Sequence, residues 1–307
     1  MQQKIETDTI FLLMIIKPLR HIPGIGRVAL LLTLSLLFVQ YGLSGQSIRA
    51  SYQFYKKNDP AQNFRAPLDM RLDFYQGLAA FYSENTYLRD SLTAIAFDPL
   101  TGEVVDDDAY TQLTRIPAAI KDLTLVNYHE GHFSQSYHEA TFFFNGMGSL
   151  SLPQWTITDE VATASGFPAH KAEGDYLGRH WTIWYTEDIP VNSGPWLLWG
   201  APGLIVYAMD SEELICFKLS GVEKLEDNHR SEFLKEEYGG PKLRQTVYKY
   251  EIKESETIHT KFMTDMDYFN QMTGSRMEKI VDRNGRDITS SFKMNYIPLI
   301  PSSYWKD

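Results

Sequence analysis

Downstream of residue 47 the hydrophobic positions fall in short runs of period two. Residues 48–54 (IRASYQF) alternate and predict a first strand. In residues 68–75 (LDMRLDFY), Leu68, Met70, Leu72 and Phe74 oppose Asp69, Arg71, Asp73 and Tyr75, a strand with one wet face. Residues 79–83 follow across Gly77 as its partner, and 87–96 fit a helix or a strand. Three further strands are predicted at 123–128, 133–137 and 140–144, the first two joined by the turn His129-Glu130-Gly131-His132. From Trp155 the pattern repeats: 155–157, 169–173, 180–185, 204–208 and 214–219 read as strands, separated by Gly166-Phe167-Pro168, Leu177-Gly178 and Asp210-Ser211. In 180–185, Trp181, Ile183 and Tyr185 share one face, and His180, Thr182 and Trp184 the other. Short strands with nearest-neighbour turns predict an antiparallel meander.

The C-terminal part changes period. Residues 231–238 (SEFLKEEY) open on a serine cap and stop at Gly239-Gly240-Pro241, a helix signature. Residues 264–280 space Met266, Phe269, Met272, Met277 and Ile280 as a second amphipathic helix. The tail, Tyr296-Ile297-Pro298-Leu299-Ile300-Pro301, cannot be regular structure and is expected to lie against the body. The expected fold is mainly β (α+β): a single curved antiparallel meander sheet with a few helices, mostly C-terminal. No repeat or low-complexity linker breaks it, so residues 46–307 form one domain after a leader, 1–45.

That leader is set apart by its own pattern. The apolar run 28–39 (VALLLTLSLLFV) follows Lys17, Arg20 and Arg27 and precedes Gly42, Ser44 and Gly45, the layout of a secretory signal. As a helix it rises only about 18 Å, short of a hydrocarbon core of roughly 30 Å. Cleavage is expected near 44–46, leaving no transmembrane segment. A second apolar run, 10–16, makes the leader long; a start at Met14 gives ordinary proportions.

Composition narrows the picture. The 6 Trp, 18 Tyr and 17 Phe favour strands. The leader holds four of the 29 basic and two of the 39 acidic residues, so the remainder carries about −12; that balance argues against nucleic acid and anionic lipid heads. The sole cysteine, Cys216, lies far from the leader, which excludes both a lipid-attachment cysteine and an internal disulfide; within Leu214-Ile215-Cys216-Phe217 it reads as a small buried apolar residue. Asp106-Asp107-Asp108 reads as a solvated loop, lacking calcium-hand spacing. His129, His132, His138 and Glu139 lack the helical spacing of a zinc protease and read as a surface turn. No Gly-x-Ser-x-Gly elbow, metal quartet or phosphate-cradling loop occurs, so no catalytic residue, metal or cofactor is assigned.

The densest constraint is the segment 184–205: Trp184-Tyr185-Thr186-Glu187-Asp188-Ile189-Pro190, then Gly194-Pro195-Trp196, then Gly200-Ala201-Pro202-Gly203-Leu204-Ile205. Pro190 ends a strand. Gly194-Pro195 and the run Gly200 to Gly203 reverse the chain, with Pro202-Gly203 suited to a type II turn in which glycine supplies positive φ. Trp196, Leu197, Leu198 and Trp199 are apolar within this stiff loop. Either the loop plugs the open end of the sheet or it presents apolar surface to a ligand or partner. The plug is favoured, because four large apolar side chains are costly to leave in water.

This segment resembles the signature of the GLPGLI family of Bacteroidetes envelope proteins, as do Leu72 to Ser83, Asp90-Ser91-Leu92, Trp155-Thr156-Ile157 and the Ile-Pro-Leu-Ile-Pro tail. Ala201 replaces the motif's first leucine. Ala169, in Gly166-Phe167-Pro168-Ala169-His170-Lys171-Ala172, replaces a cysteine usual in the family. The resemblance implies an exported protein, periplasmic or outer-membrane associated and not a lipoprotein, of unassigned biochemical role. The leading expectation is a non-enzymatic binding module for an apolar small ligand. Trp181, Trp184 and Trp199 would line its groove, with Trp196 to Ile205 at the mouth. The alternative is an accessory subunit docking onto an outer-membrane transporter or another envelope complex; a hydrolase ranks below both.

Overall fold

Burial in strand β1 (Ile48–Lys56) alternates residue by residue as the sequence does, and the same alternation organises the sheet around it. The computed structural model describes residues 47–98, 100–117, 122–139, 142–225, 246–274, 280–281, 284–287, 289 and 296–305, all within one compact unit, Gln46–Asp307. The expected leader and the helix expected at 231–238 lie outside the described residues. The fold is mainly β. Strands β2 (Leu68–Tyr75), β3 (Leu78–Ser83), β4 (Leu123–Asn127), β5 (His132–Glu139) and β6 (Phe142–Ser149) form one antiparallel meander with β1. Strands β7 (Thr156–Ala164), β8 (Phe167–Tyr176), β9 (Arg179–Thr186), β10 (Leu204–Asp210) and β11 (Ile215–Lys224) form a second. β1 pairs with both β2 and β11 and so joins the two. The last strand, β12 (Thr246–Glu251), pairs parallel with β6, the one departure from an all-antiparallel sheet among the described strands. The β7–β8 and β8–β9 turns place Ser165-Gly166 and Leu177-Gly178 at positive φ, the paired left-handed pattern of a type I′ hairpin, whose twist matches that of its strands.

Chain length forces the sheet to curl. β6 and β7 stand ten strand-to-strand steps apart, about 48 Å across a flat sheet. Only residues 150–155 connect them, a reach of about 25 Å fully extended. The two meanders must therefore bend toward each other, creating an inner face. Tyr52, Phe54, Phe81, Phe133, Trp181 and Phe217 lie on it, all buried. Phe54 stacks on Phe217 at 4.8 Å, and Trp181 lies 6.4 Å from Phe217, so the aromatic layer is continuous across the junction of the meanders.

Helix placement differs from expectation in three respects. Helix α1 (Glu84–Ala96) occupies the stretch that fitted helix or strand, and α2 (Asp107–Arg115) follows, both between β3 and β4. Asp106 is not in a loop: its carboxylate accepts from the Ala109 amide at 2.8 Å and caps α2, while Asp107 and Asp108 sit in the first turn, where the helix dipole favours them. On the outer face Tyr87 of α1 packs against Ala80, Tyr82 and Leu123. The predicted helix at 264–280 is shorter, α4 (Met266–Thr273), ended by Gly274 at φ +66. Ahead of it lies a helix the pattern did not show, α3 (Ile252–Thr264). No helix among the described residues is long and apolar enough to cross a membrane.

Candidate functional site

The inner face is closed by three stretches from distant parts of the chain: the β9–β10 loop, helix α3, and the tail. The loop carries the residues singled out by sequence. Trp196, Leu197 and Leu198 are at most 1% exposed, and Gly194, Pro195, Ala201, Gly203, Leu204 and Ile205 are buried with them. Asp188, Pro190 and Pro202 remain at the surface, and Ile189, Trp199 and Gly200 are half-buried. The loop is a plug. Its backbone is closed by its own bonds: Leu198 N to Pro195 O (3.1 Å), Gly200 N to Asn192 O (3.1 Å), Leu204 N to Ile189 O (3.0 Å) and Ile205 N to Ser193 O (3.0 Å). Side chains then clamp it to both meanders. Tyr52 donates to Ile205 O at 2.7 Å, Tyr128 pairs with Ser193 at 2.8 Å, and Trp155 donates to Trp199 O at 2.7 Å. Burial pushes the Tyr52 and Tyr128 hydroxyls well above the ordinary phenol range, so both stay protonated.

Two details correct the expected turn chemistry. Gly203 is absent from the positive-φ residues; it is glycine because a Cβ there would overlap the Thr186 carbonyl oxygen. The left-handed conformations fall instead on Gly200 (φ +82) and on Trp196 (φ +57), an uncommon state for a large side chain. Trp196 also buries its indole N–H without an acceptor among the described residues. Its ring burial, 6.3 Å from Trp181, must outweigh both penalties.

The aromatics expected to line one groove do not share a wall. Trp181 is buried on the inner face and donates to Tyr176 O at 3.1 Å, whereas Trp184 points to the outer face, as the period of β9 requires. Between Trp196, Phe54, Met70, Phe81, Gln135 and Leu299 about 10 Å³ of space remains, the room of about one water. At this place the inner face is filled by the chain's own side chains.

Helix α3 covers the other half, over β5 and β6. Its buried stripe is Ile252, Ser255, Glu256, His259 and Phe262. Gly146 and Gly148 let it approach: a Cβ at Gly146 would stand 2.7 Å from the Ser255 Cβ, and one at Gly148 2.8 Å from Ile252. Tyr137 donates to Glu256 and stacks on His259 with centroids 3.9 Å apart, and the Tyr296 hydroxyl lies 3.3 Å from His259 Nδ1. Glu256 Oε2, Ser255 Oγ and both polar atoms of Gln135 are buried with no hydrogen-bond partner among the described residues. Burial pushes the Glu256 carboxyl up to about 7, against the opposing pull of the Tyr137 hydroxyl and the Lys56 charge. Sequence reasoning missed this cluster because its residues lie 119 positions apart, on β5 and α3.

The tail lies against the body. Arg179 holds it, donating to Leu299 O at 2.9 Å and Pro298 O at 2.8 Å while pairing with Asp210 at 2.7 Å. Beside it opens a cleft of about 370 Å³ whose buried cation is spent on these bonds. Cys216 is buried, and burial pushes its thiol up, which makes it a poor nucleophile. His129 bonds through Nε2 to Gln76 O at 2.7 Å, tying its turn to the β2–β3 turn; among the described residues no three His, Cys, Asp or Glu side chains gather as metal ligands.

A family described as a protein of unknown function (Porph_ging) has a sequence model that matches residues 168–207. Those residues are β8, β9, the plug and the start of β10. No curated protein matches the chain. Among solved structures it is similar to two structures of PNGF-II, in C2 and P21 space groups, at 12% and 13% identity and TM-scores of 0.47 and 0.45. Each covers 72% of this chain and 34% of that one, so the chain spans about a third of the length of PNGF-II. The complex of Pseudomonas aeruginosa MucA/MucB is similar at 6% identity and a TM-score of 0.28, over 69% of this chain and 62% of that one. Likenesses this distant bear on neither activity nor ligand.

Proposed function

We propose that the chain is an exported cell-envelope protein of the GLPGLI family that acts as a non-enzymatic binding module, holding an apolar small molecule on its inner face. One observation carries this reading. A continuous aromatic layer spans the curled sheet, yet the described residues cover it with loops and a helix of the same chain rather than with a second sheet. Such covers can be displaced one at a time, whereas a packed sheet cannot. The motif and the apolar run 28–39 support the family and the export route. The non-enzymatic part is supported by two buried acids, Asp73 and Asp210, whose charges are committed to pairs with Arg49 and Arg179.

The test is a titration of purified, delipidated protein with the neutral dye Nile red between pH 5 and 8. One saturable site is expected, competed by a fatty alcohol; no saturable binding anywhere in that range overturns the reading.

A second reading is that of an accessory subunit docking on an outer-membrane transporter or other envelope complex. It is favoured by β7, the outermost strand among the described residues, where Ile157 and Val161 are 53% and 61% exposed. A bulge between Ile157 and Val161 interrupts that edge and limits strand addition to its ends. Crosslinking from Val161 in intact envelopes tests it, and recovery of the uncrosslinked chain alone argues against it.

A further inference from the structure

We propose that helix α3 is a proton-held lid: it stays closed over the inner face while the Glu256 carboxyl carries a proton, and ionisation of that carboxyl releases it, baring Phe133, Tyr137 and Phe144. The lid is independent of what the inner face binds.

The argument is geometric. Glu256 is 2% exposed and projects from α3 onto the sheet. One of its oxygens takes the Tyr137 hydroxyl; the other has no partner among the described residues. A carboxylate with a single donor in such a place is far costlier than the neutral acid, which needs less solvation. The neighbouring ionisable groups do not supply the missing donor. Tyr137 comes from β5 and is already used, and His259 of α3 is stacked on it. Tyr296 of the tail meets His259, and Lys56 of β1 lies over the Tyr296 ring at 4.3 Å, acting on Glu256 only at a distance. Asp122, ahead of β4, adds negative charge near Tyr137. From α4, Asp267 is exposed and Tyr268 sits under Lys261, and Tyr250 of β12 packs on Tyr137, Phe144 and Phe262.

When the lid lifts, the proton leaves Glu256 for solvent and water solvates the carboxylate. The closed state holds its proton up to about 7, against an ordinary 4.5 for the open state. Closure is therefore strongest below 4.5, weakens as pH rises from there to about 7, and then levels off. Across that window the open population of α3 rises by about 300-fold.

Hydrogen exchange of the backbone amides of α3, corrected for intrinsic exchange, measures that population in the purified protein. The expected result is a rise of about two orders of magnitude in α3 exchange between pH 4.5 and 7.5, with β9 and the plug unchanged. In Glu256→Gln the rise disappears; in His259→Gln it persists. A flat α3 profile in the unaltered protein, or the same rise in Glu256→Gln, overturns the lid. If Glu256→Gln does not fold, carbon NMR of the Glu256 carboxyl decides: titration near 4.5 in the native protein overturns the proposal, and titration near 7 supports it. Because exchange reads the lid without ligand, a positive result alongside no Nile red binding would remove the binding reading and leave the lid standing.

Discussion

The plug and helix α3 do the same job by opposite means. Both cover the inner face of one curled sheet. The plug closes its backbone with internal bonds, sends three apolar side chains inward, and is clamped by Tyr52, Tyr128 and Trp155 from three other parts of the chain. Helix α3 has a regular backbone but buries Ser255, Glu256 and His259, and among the described residues the Glu256 carboxyl keeps one oxygen without a partner, whereas the plug leaves only neutral groups, the Trp196 indole and the Asn192 amide oxygen, in that state. A cover built from apolar contacts responds little to solution conditions. One built on a buried acid is conditional on pH, because the same group is cheap to bury when neutral and expensive when charged. Permanence and adjustability are thus separated on one surface.

The largest effect that sharpens this contrast is expected at Trp196. Trp196→Ala should destabilise the protein by about 3–5 kcal/mol in urea unfolding, as for other fully buried tryptophans. A loss below about 1 kcal/mol would mean the plug is not a structural element. Next comes the pH slope. Glu256 has its folded value raised, so its contribution is most favourable below 4.5 and is lost as pH rises to about 7. At 1.36 kcal/mol per unit this amounts to up to about 3 kcal/mol. Urea unfolding at pH 4.5 and 7.5 should show that decline in the unaltered protein and in Trp196→Ala, and lack it in Glu256→Gln. A smaller effect is expected at Gly203→Ala, about 2 kcal/mol from overlap with the Thr186 carbonyl, against no more than about 0.5 for the exposed Pro202→Ala. The smallest is a matched pair of serines. Ser193→Ala removes the partner of the buried Tyr128 hydroxyl and should lower stability by about 1 kcal/mol. Ser255→Ala removes an unpaired buried hydroxyl and should leave stability unchanged or raise it by up to about 1 kcal/mol. Equal signs in the two serines would erase the distinction between the covers.

The strands were legible because their signal is local. Alternation in 68–75 and 180–185 reports which residues face the core, and the turn residues between them set nearest-neighbour pairing. The plug was legible as a stiff apolar loop, though not its turn chemistry. Glycine at 203 reads equally well as positive φ or as close approach, and only the neighbouring Thr186 carbonyl decides between them. Helix α3 was hidden because its buried stripe holds Ser255, Glu256 and His259, which break the apolar period that marks a helix. The helical start at Asp106 is not legible locally, because an acidic run has the same composition in a solvated loop and in the first turn of a helix.

By itself, then, the sequence determined a mainly β chain of short alternating strands, most of the turns between them, and a stiff apolar loop whose burial it favoured over exposure. Those properties follow from side-chain period, proline and glycine, and need no knowledge of distant neighbours. Only the tertiary structure decided that β1 joins two meanders, that a six-residue connection curls the sheet, and that Trp196 and Leu299 fill the hollow against Phe54 and Phe81. It also decided that Glu256 meets Tyr137 across 119 positions. A carboxyl's solvation depends on what packs around it, and that is a property of the folded whole.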